Sequence, residues 1–153
     1  MPTVLVVDDM QIFREPIAAS LRLAGYETLL AGSGAEAMQL VHARKPDLIV
    51  LDVAMPNRDG LSVLQTLRRD ANHAWTPVIL LTAVADASVF DLAYRLGVRQ
   101  ILLKSQFSLL DLLDRVEMAL AADPLPPIID PAALDERSGI SKTIAAKVPI
   151  MTF

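Results

Sequence analysis

Two hydrophobic textures alternate along this chain. Short dense runs rich in valine, isoleucine and leucine occupy residues 4–7, 28–31, 48–53, 78–82 and 101–103. Each is followed by a longer stretch in which apolar residues recur every three or four positions, over residues 11–24, 35–44, 61–69, 88–96 and 109–120. The first texture is that of buried strands and the second that of amphipathic helices. In the first helix Ile12, Ile17, Leu21 and Ala24 are expected to face inward, with Gly25 as the stop and Pro16 early enough to cost little. In the second, Ala37, Leu40 and Val41 form the inner face. The run 48–53 is apolar except for Asp52, the pattern of a strand covered on both faces of a parallel sheet. Five strands alternating with five helices predict an α/β fold, a doubly wound parallel sheet with helices on both sides.

The pattern breaks after Ala122. Five of the ten prolines (124, 126, 127, 131 and 149) fall in the last 31 residues. Asp123-Pro124-Leu125-Pro126-Pro127 cannot continue a helix and reads as an extended linker. Asp130-Pro131 then reads as the N-cap and first position of a short helix stopping at Gly139, with Ile140, Ile144 and Val148 as a second apolar stripe. The expected organisation is a folded domain over residues 1–122 and a proline-rich linker with a short helical tail over residues 123–153. The tail is too short to bury a core of its own.

Composition narrows the function. At 53% hydrophobic residues, the 153-residue chain has ample material for a core, which excludes disorder along its whole length. The net charge of −4 argues against a surface built to neutralise a phosphate backbone, so no direct contact with nucleic acid is expected. There is no cysteine, which removes disulfides, thiolate metal sites and a cysteine nucleophile. The two histidines, His42 and His73, are too few for a histidine-rich zinc site and are expected on solvated helix surfaces. Arg68-Arg69 reads as a solvated helix end. No window reaches the ~18–20 apolar residues of a membrane span, and the N-terminus lacks the basic region of a signal peptide. The expected location is cytoplasmic, away from the membrane.

The polar residues with chemical potential sit where strands end. Asp8 and Asp9 follow the first strand, Asp52 lies in the third, Thr82 ends the fourth and Lys104 follows the fifth. In open parallel sheets, ligands bind outside the carboxyl ends of the strands. Three carboxylates converging there would repel one another unless a cation intervened, and an all-oxygen set of this size suits magnesium. A carboxylate held beside a metal and a lysine is a plausible nucleophile toward phosphorus. The Thr82 hydroxyl and the Lys104 ammonium could then take the remaining phosphoryl oxygens. An ionised Asp52 inside an apolar strand costs several kcal/mol unless paired, so it is hard to explain as structure alone. Gly32-Ser33-Gly34 follows the second strand and lacks a third glycine, so it is a turn rather than a dinucleotide fingerprint. The acidic first loop has the wrong sign for a flavin phosphate.

With these residues in place, the sequence resembles the receiver domain of a bacterial two-component response regulator, of the chemotaxis-regulator type. The resemblance rests on Val6-Val7-Asp8-Asp9, Leu51-Asp52-Val53-Ala54-Met55-Pro56 with Asp59-Gly60, Leu81-Thr82-Ala83 and Leu103-Lys104, and spans about residues 2–122. It implies the flavodoxin-like strand order 2-1-3-4-5 and a phosphorylation-dependent signalling switch. Asp52 would accept a phosphoryl group from a histidine kinase or phosphotransfer protein. Mg2+ would be held by Asp9, Asp52 and the main-chain oxygen of Ala54, with Asp8 acting largely through water. Thr82 would be the switch hydroxyl, Ala83 would keep the pocket accessible and Lys104 would be the phosphoryl counter-ion. Such a protein is not an enzyme in the ordinary sense, because it catalyses its own phosphorylation and dephosphorylation. The alternatives are a non-phosphorylated, receiver-like interaction module and a small magnesium-dependent phosphohydrolase.

Three departures from the family stand out. Ile101 occupies the switch position where an aromatic residue is common. Ser105 replaces the proline after the lysine, and Phe107 lies one place later than the usual phenylalanine. A trans Lys104–Ser105 bond and a remodelled loop over 105–108 are therefore expected, with Ser105 or Ser108 capping the last helix. In this fold Ala54 and Val84, two residues after Asp52 and Thr82, flank the path of attacking water and cannot hydrogen-bond it. Slow loss of the phosphoryl group is expected from that. The apolar excess of the last helix marks the surface of the fourth helix, fifth strand and fifth helix for a downstream protein partner or a second copy.

Overall fold

The computed structural model describes residues 1–53, 59–83 and 85–122. The five apolar runs form β1 (Thr3–Val7), β2 (Glu27–Ala31), β3 (Leu48–Asp52), β4 (Val78–Thr82) and β5 (Gln100–Leu103). The periodic stretches form α1 (Gln11–Leu23), α2 (Gly34–Arg44), α3 (Asp59–Arg69), α4 (Ala87–Arg95) and α5 (Leu109–Ala121). All strand pairs are parallel, in the order β2-β1-β3-β4-β5. The chain winds outward from β1 to β2, then returns to the other side of β1 to build β3, β4 and β5. The connections after β1 and β3 therefore leave in opposite directions, which opens a crevice at their carboxyl ends.

Alternate strand residues feed two cores. On one face Leu5, Val7, Ile49, Leu51, Val78 and Leu80 pack under residues of α2, α3 and α4. On the other, Val4, Val6, Leu48, Val50, Ile79 and Leu81 pack under Ile17 and Leu21 of α1 and Leu112 and Val116 of α5. β3 and β4 are buried along their whole length, as strands between two helical layers should be. Helix starts follow local chemistry. Ser33, Asp86 and Ser108 accept from the backbone N–H groups of Glu36, Ser88 and Asp111, closing the first turns of α2, α4 and α5. The Lys104–Ser105 bond is trans, and Gln106 N donates to Leu103 O in the turn that leads to Ser108.

Several expectations need correction. Ile12 is 72% exposed and Ala24 is also exposed; Ile17, Ala18 and Leu21 form the buried face of α1. Pro16 lies beyond the first turn, so its missing N–H leaves the carbonyl of Ile12 without its helical donor, on the outer face. His73 is buried in the α3–β4 connection rather than solvated on a helix. Arg68 is buried as well, 3% exposed, whereas Arg69 is exposed. The linker and tail expected over 123–153 lie outside the described residues, as do Ala54, Met55, Pro56 and Val84.

Candidate functional site

The carboxyl edge of the sheet is extended by one further bond in each of the pairs β1–β2, β3–β4 and β4–β5. Asp8 N donates to Ala31 O, Val53 N to Leu81 O and Lys104 N to Thr82 O, at 2.8–3.0 Å. These bonds fix the backbone on which the side chains of Asp8, Asp52, Thr82 and Lys104 stand. The carboxylates of Asp8, Asp9 and Asp52 converge, each offering an oxygen within 4.8 Å of the others. Asp8 and Asp52 are buried, and Asp9 is exposed at the rim.

Lys104 reaches into this group from β5. Its Nζ lies 2.8 Å from Asp8 Oδ2 and 3.2 Å from Asp52 Oδ2, with the side chain only 6% exposed. Pairing of this kind is what allows ionised carboxylates to remain inside a fold. Asp8 is held further by its Oδ1, which accepts from Met10 N at 2.9 Å, and its main-chain oxygen accepts from Arg14 Nη1 at 2.9 Å. Thr82 is buried at the end of β4, and Ala83 is exposed beside it. Asp9, Met10, Phe13, Asp52, Ala83 and Lys104 border one open cleft, which Ser105 completes. Ile101 is partly buried against the core under α2, α3 and α4, not in the cleft.

The residues fit a divalent cation. In ionised form Asp8, Asp9 and Asp52 carry three negative charges and Lys104 one positive, a net of −2. The donors are all oxygens, the preference of magnesium, and Asp9 leaves the site open on its solvent side.

Two neighbours were not legible beforehand as parts of the site. Phe13 presents its ring 4.4 Å from Lys104 Nζ, a cation–π contact with the ammonium that also meets Asp8 and Asp52. Its period in α1 marks it only as a core residue, because it lies one turn before Ile17 and Leu21 on the same i, i+4 row. Gly60 appears in the motif, but its reason is steric. A Cβ at this position would lie 2.1 Å from the main-chain oxygen of Asp52, so only glycine lets α3 start so close to the end of β3.

Comparison with known proteins identifies the family of the fold. Residues 4–117 match the family described as response regulator receiver domain. The chain is 35% identical over 119 residues to the transcriptional regulatory protein PdtaR of Mycobacterium tuberculosis, covering 77% of this chain and 56% of that protein. It is 36% identical over 101 residues to the Regulator of RpoS of Escherichia coli, covering 66% of this chain and 29% of that protein. The chain thus spans about half the length, or less, of these curated relatives. Among solved structures, it resembles the chemotaxis protein CheY4 of Vibrio cholerae with a TM-score of 0.73 at 28% identity, covering 78% of this chain and 98% of that one. The receiver domain of the Francisella response regulator 1452 gives 0.70 at 33% identity, covering 78% and 97%. With five parallel strands in the order 2-1-3-4-5 and a family match over most of its length, this chain belongs to the response regulator receiver domains of two-component systems.

Proposed function

We propose that this receiver domain is switched by transfer of a phosphoryl group to Asp52, from a histidine kinase or a phosphotransfer protein. The observation that carries the reading is the convergence of three carboxylates at the switch point of the sheet, two of them paired with one buried ammonium. An Asp52 carboxylate oxygen attacks the phosphorus of a phosphohistidine, the P–O bond forms, and the P–N bond breaks with the electron pair leaving on the imidazole. Asp9, Asp52 and the main-chain oxygen of Ala54 would hold Mg2+, with Asp8 contributing through water. Bound there, the ion neutralises charge on the transferring oxygens. Lys104 already lies against Asp52, so a short shift carries its ammonium from carboxylate to phosphoryl oxygen. The Thr82 hydroxyl, at the neighbouring strand end with the small Ala83 beside it, would donate to a second oxygen.

Loss of the Lys104–Asp52 pairing and recruitment of Thr82 would be passed to Ile101 and to the α4–β5–α5 surface, the proposed contact for a downstream protein or a second copy. Incubation with acetyl phosphate and Mg2+, followed by intact-mass analysis, tests the assignment. One phosphoryl group should be gained, none in excess chelator, and none by Asp52→Asn. Asp9→Ala should require far more magnesium for the same gain. Stoichiometric labelling of Asp52→Asn would refute the assignment.

A further inference from the structure

At the amino ends of β3, β4 and β5, away from the carboxylates, a groove of about 460 Å3 opens on the surface. Met118 and Ala119 in the last turns of α5 line it together with Trp75 and Pro77 of the α3–β4 connection. Trp75 is 50% exposed and Met118 59%, so the two largest apolar side chains of the groove stand half in water. Covering them would remove substantial apolar area from solvent, and an indole is the side chain with most to gain.

The groove is also basic. Arg99 lines it and has no hydrogen-bond or ion-pair partner among the described residues. Arg68 lines it too, and among the described residues its guanidinium donates only to the neutral carbonyls of Leu96, His73 and Thr76, none of which cancels its charge. The acidic side chain in the lining, Asp47, is engaged through Oδ2 by the backbone N–H of Thr3 at 2.7 Å.

The chain itself carries a segment of matching chemistry in the right place. Ala122, at the end of α5, lines the groove. The sequence runs on as Asp123-Pro124-Leu125-Pro126-Pro127-Ile128-Ile129-Asp130, an apolar stretch with three prolines between two aspartates. Proline-rich stretches favour the polyproline conformation, and grooves lined by aromatic side chains take up such segments. At ~3.1 Å per residue, the seven steps from Ala122 to Ile129 span ~22 Å, enough to lay the apolar part across the groove. We propose that residues 125–129 occupy this groove within the same molecule, packing on Trp75 and Met118, with one of the flanking aspartates held by Arg99. The segment that follows would thereby be fixed to the domain at the end of the sheet remote from Asp52.

Trp75 is the chain's single tryptophan and reports on the groove directly. Its emission and acrylamide quenching would be measured in the full chain, in a full-length Leu125→Asp/Ile128→Asp/Ile129→Asp variant, and in Arg99→Glu. The proposal expects red-shifted emission and a quenching constant raised on the order of twofold in the triple variant, with unchanged far-UV circular dichroism. Arg99→Glu should move both readouts in the same direction by less. Wild-type emission should not depend on protein concentration. Identical emission and quenching in wild type and triple variant would overturn the proposal. A blue shift that grows with concentration would overturn it in favour of a second copy in the groove.

Discussion

Arg68 and Lys104 are both buried cations, yet only one of them faces carboxylates. Lys104 closes an apolar strand opposite Asp52, and that placement made its partners legible from the sequence. Arg68 looked like the solvated end of α3, because its partners are main-chain carbonyls of Leu96, His73 and Thr76, at 2.5–3.2 Å, and no periodicity encodes a carbonyl in a loop. Burial lowers its pKa to about 10, still well above neutral pH, so the side chain remains a charged clamp joining α3 to the connections before β4 and after α4. Replacing it with methionine keeps much of the packing but removes the side-chain donor from the carbonyls of Leu96, Thr76 and His73, the last of which keeps the Thr76 N–H. Arg68→Met should lose about 2–4 kcal/mol in urea unfolding while still taking up a phosphoryl group. A loss under about 0.5 kcal/mol would mean that water replaces the guanidinium without cost. Phe13 makes a finer prediction: Phe13→Leu removes the ring beneath Lys104 and should lower the rate of phosphorylation without unfolding the domain, as read by stopped-flow and thermal melting.

At the scale of elements, helix faces were legible where hydrophobic residues could go nowhere else, and less so in α1. Ile12 fits the apolar period but turns outward, because Ile17, Ala18 and Leu21 define the row that the sheet accepts. In α5, Leu112 and Val116 are buried and Leu113 and Leu120 pack partly on the core, as does Phe107 just before the helix, while Leu110 is 75% exposed. The apolar excess is therefore divided between a wide core face and an exposed remainder. The junction of β3 with α3 depends on Gly60: Gly60→Ala should destabilise the domain by about 1–3 kcal/mol and impair phosphorylation together, since the added methyl pushes on the backbone of Asp52 itself. The α3–β4 connection adds a pH dependence. Burial lowers the pKa of His73, opposed by nearby Asp70 and reinforced by His42 and Lys45. Its folded pKa thus lies below its unfolded value of about 6.5, so the unfolded chain binds the proton more readily. Stability should be full above about pH 6.5 and decline as pH falls through the lowered folded value. His73→Gln should flatten that slope in melts between neutral and mildly acidic pH. The hydrogen bond from Asn72 holds Asp70 below the usual carboxylate range, so its own titration falls in a more acidic window.

For the whole molecule, the alternation of strand and helix was enough to read a doubly wound sheet, because each dense run is a strand buried between two layers. The order 2-1-3-4-5 came from resemblance, since parallel strands carry no pairing code in their composition; the structure bears it out. That order places the ends of β1 and β3 side by side, and the candidate site is its direct consequence: three carboxylates and one lysine, far apart in sequence, meet where the chain changes direction. The central claim is that Asp52 is where the phosphoryl group resides. Borohydride reduction of the freshly phosphorylated protein converts an acyl phosphate to homoserine, and tandem mass spectrometry of the digest then locates it. The account predicts homoserine at residue 52 and unmodified aspartate at residues 8 and 9; homoserine at either of those, with residue 52 intact, would contradict it.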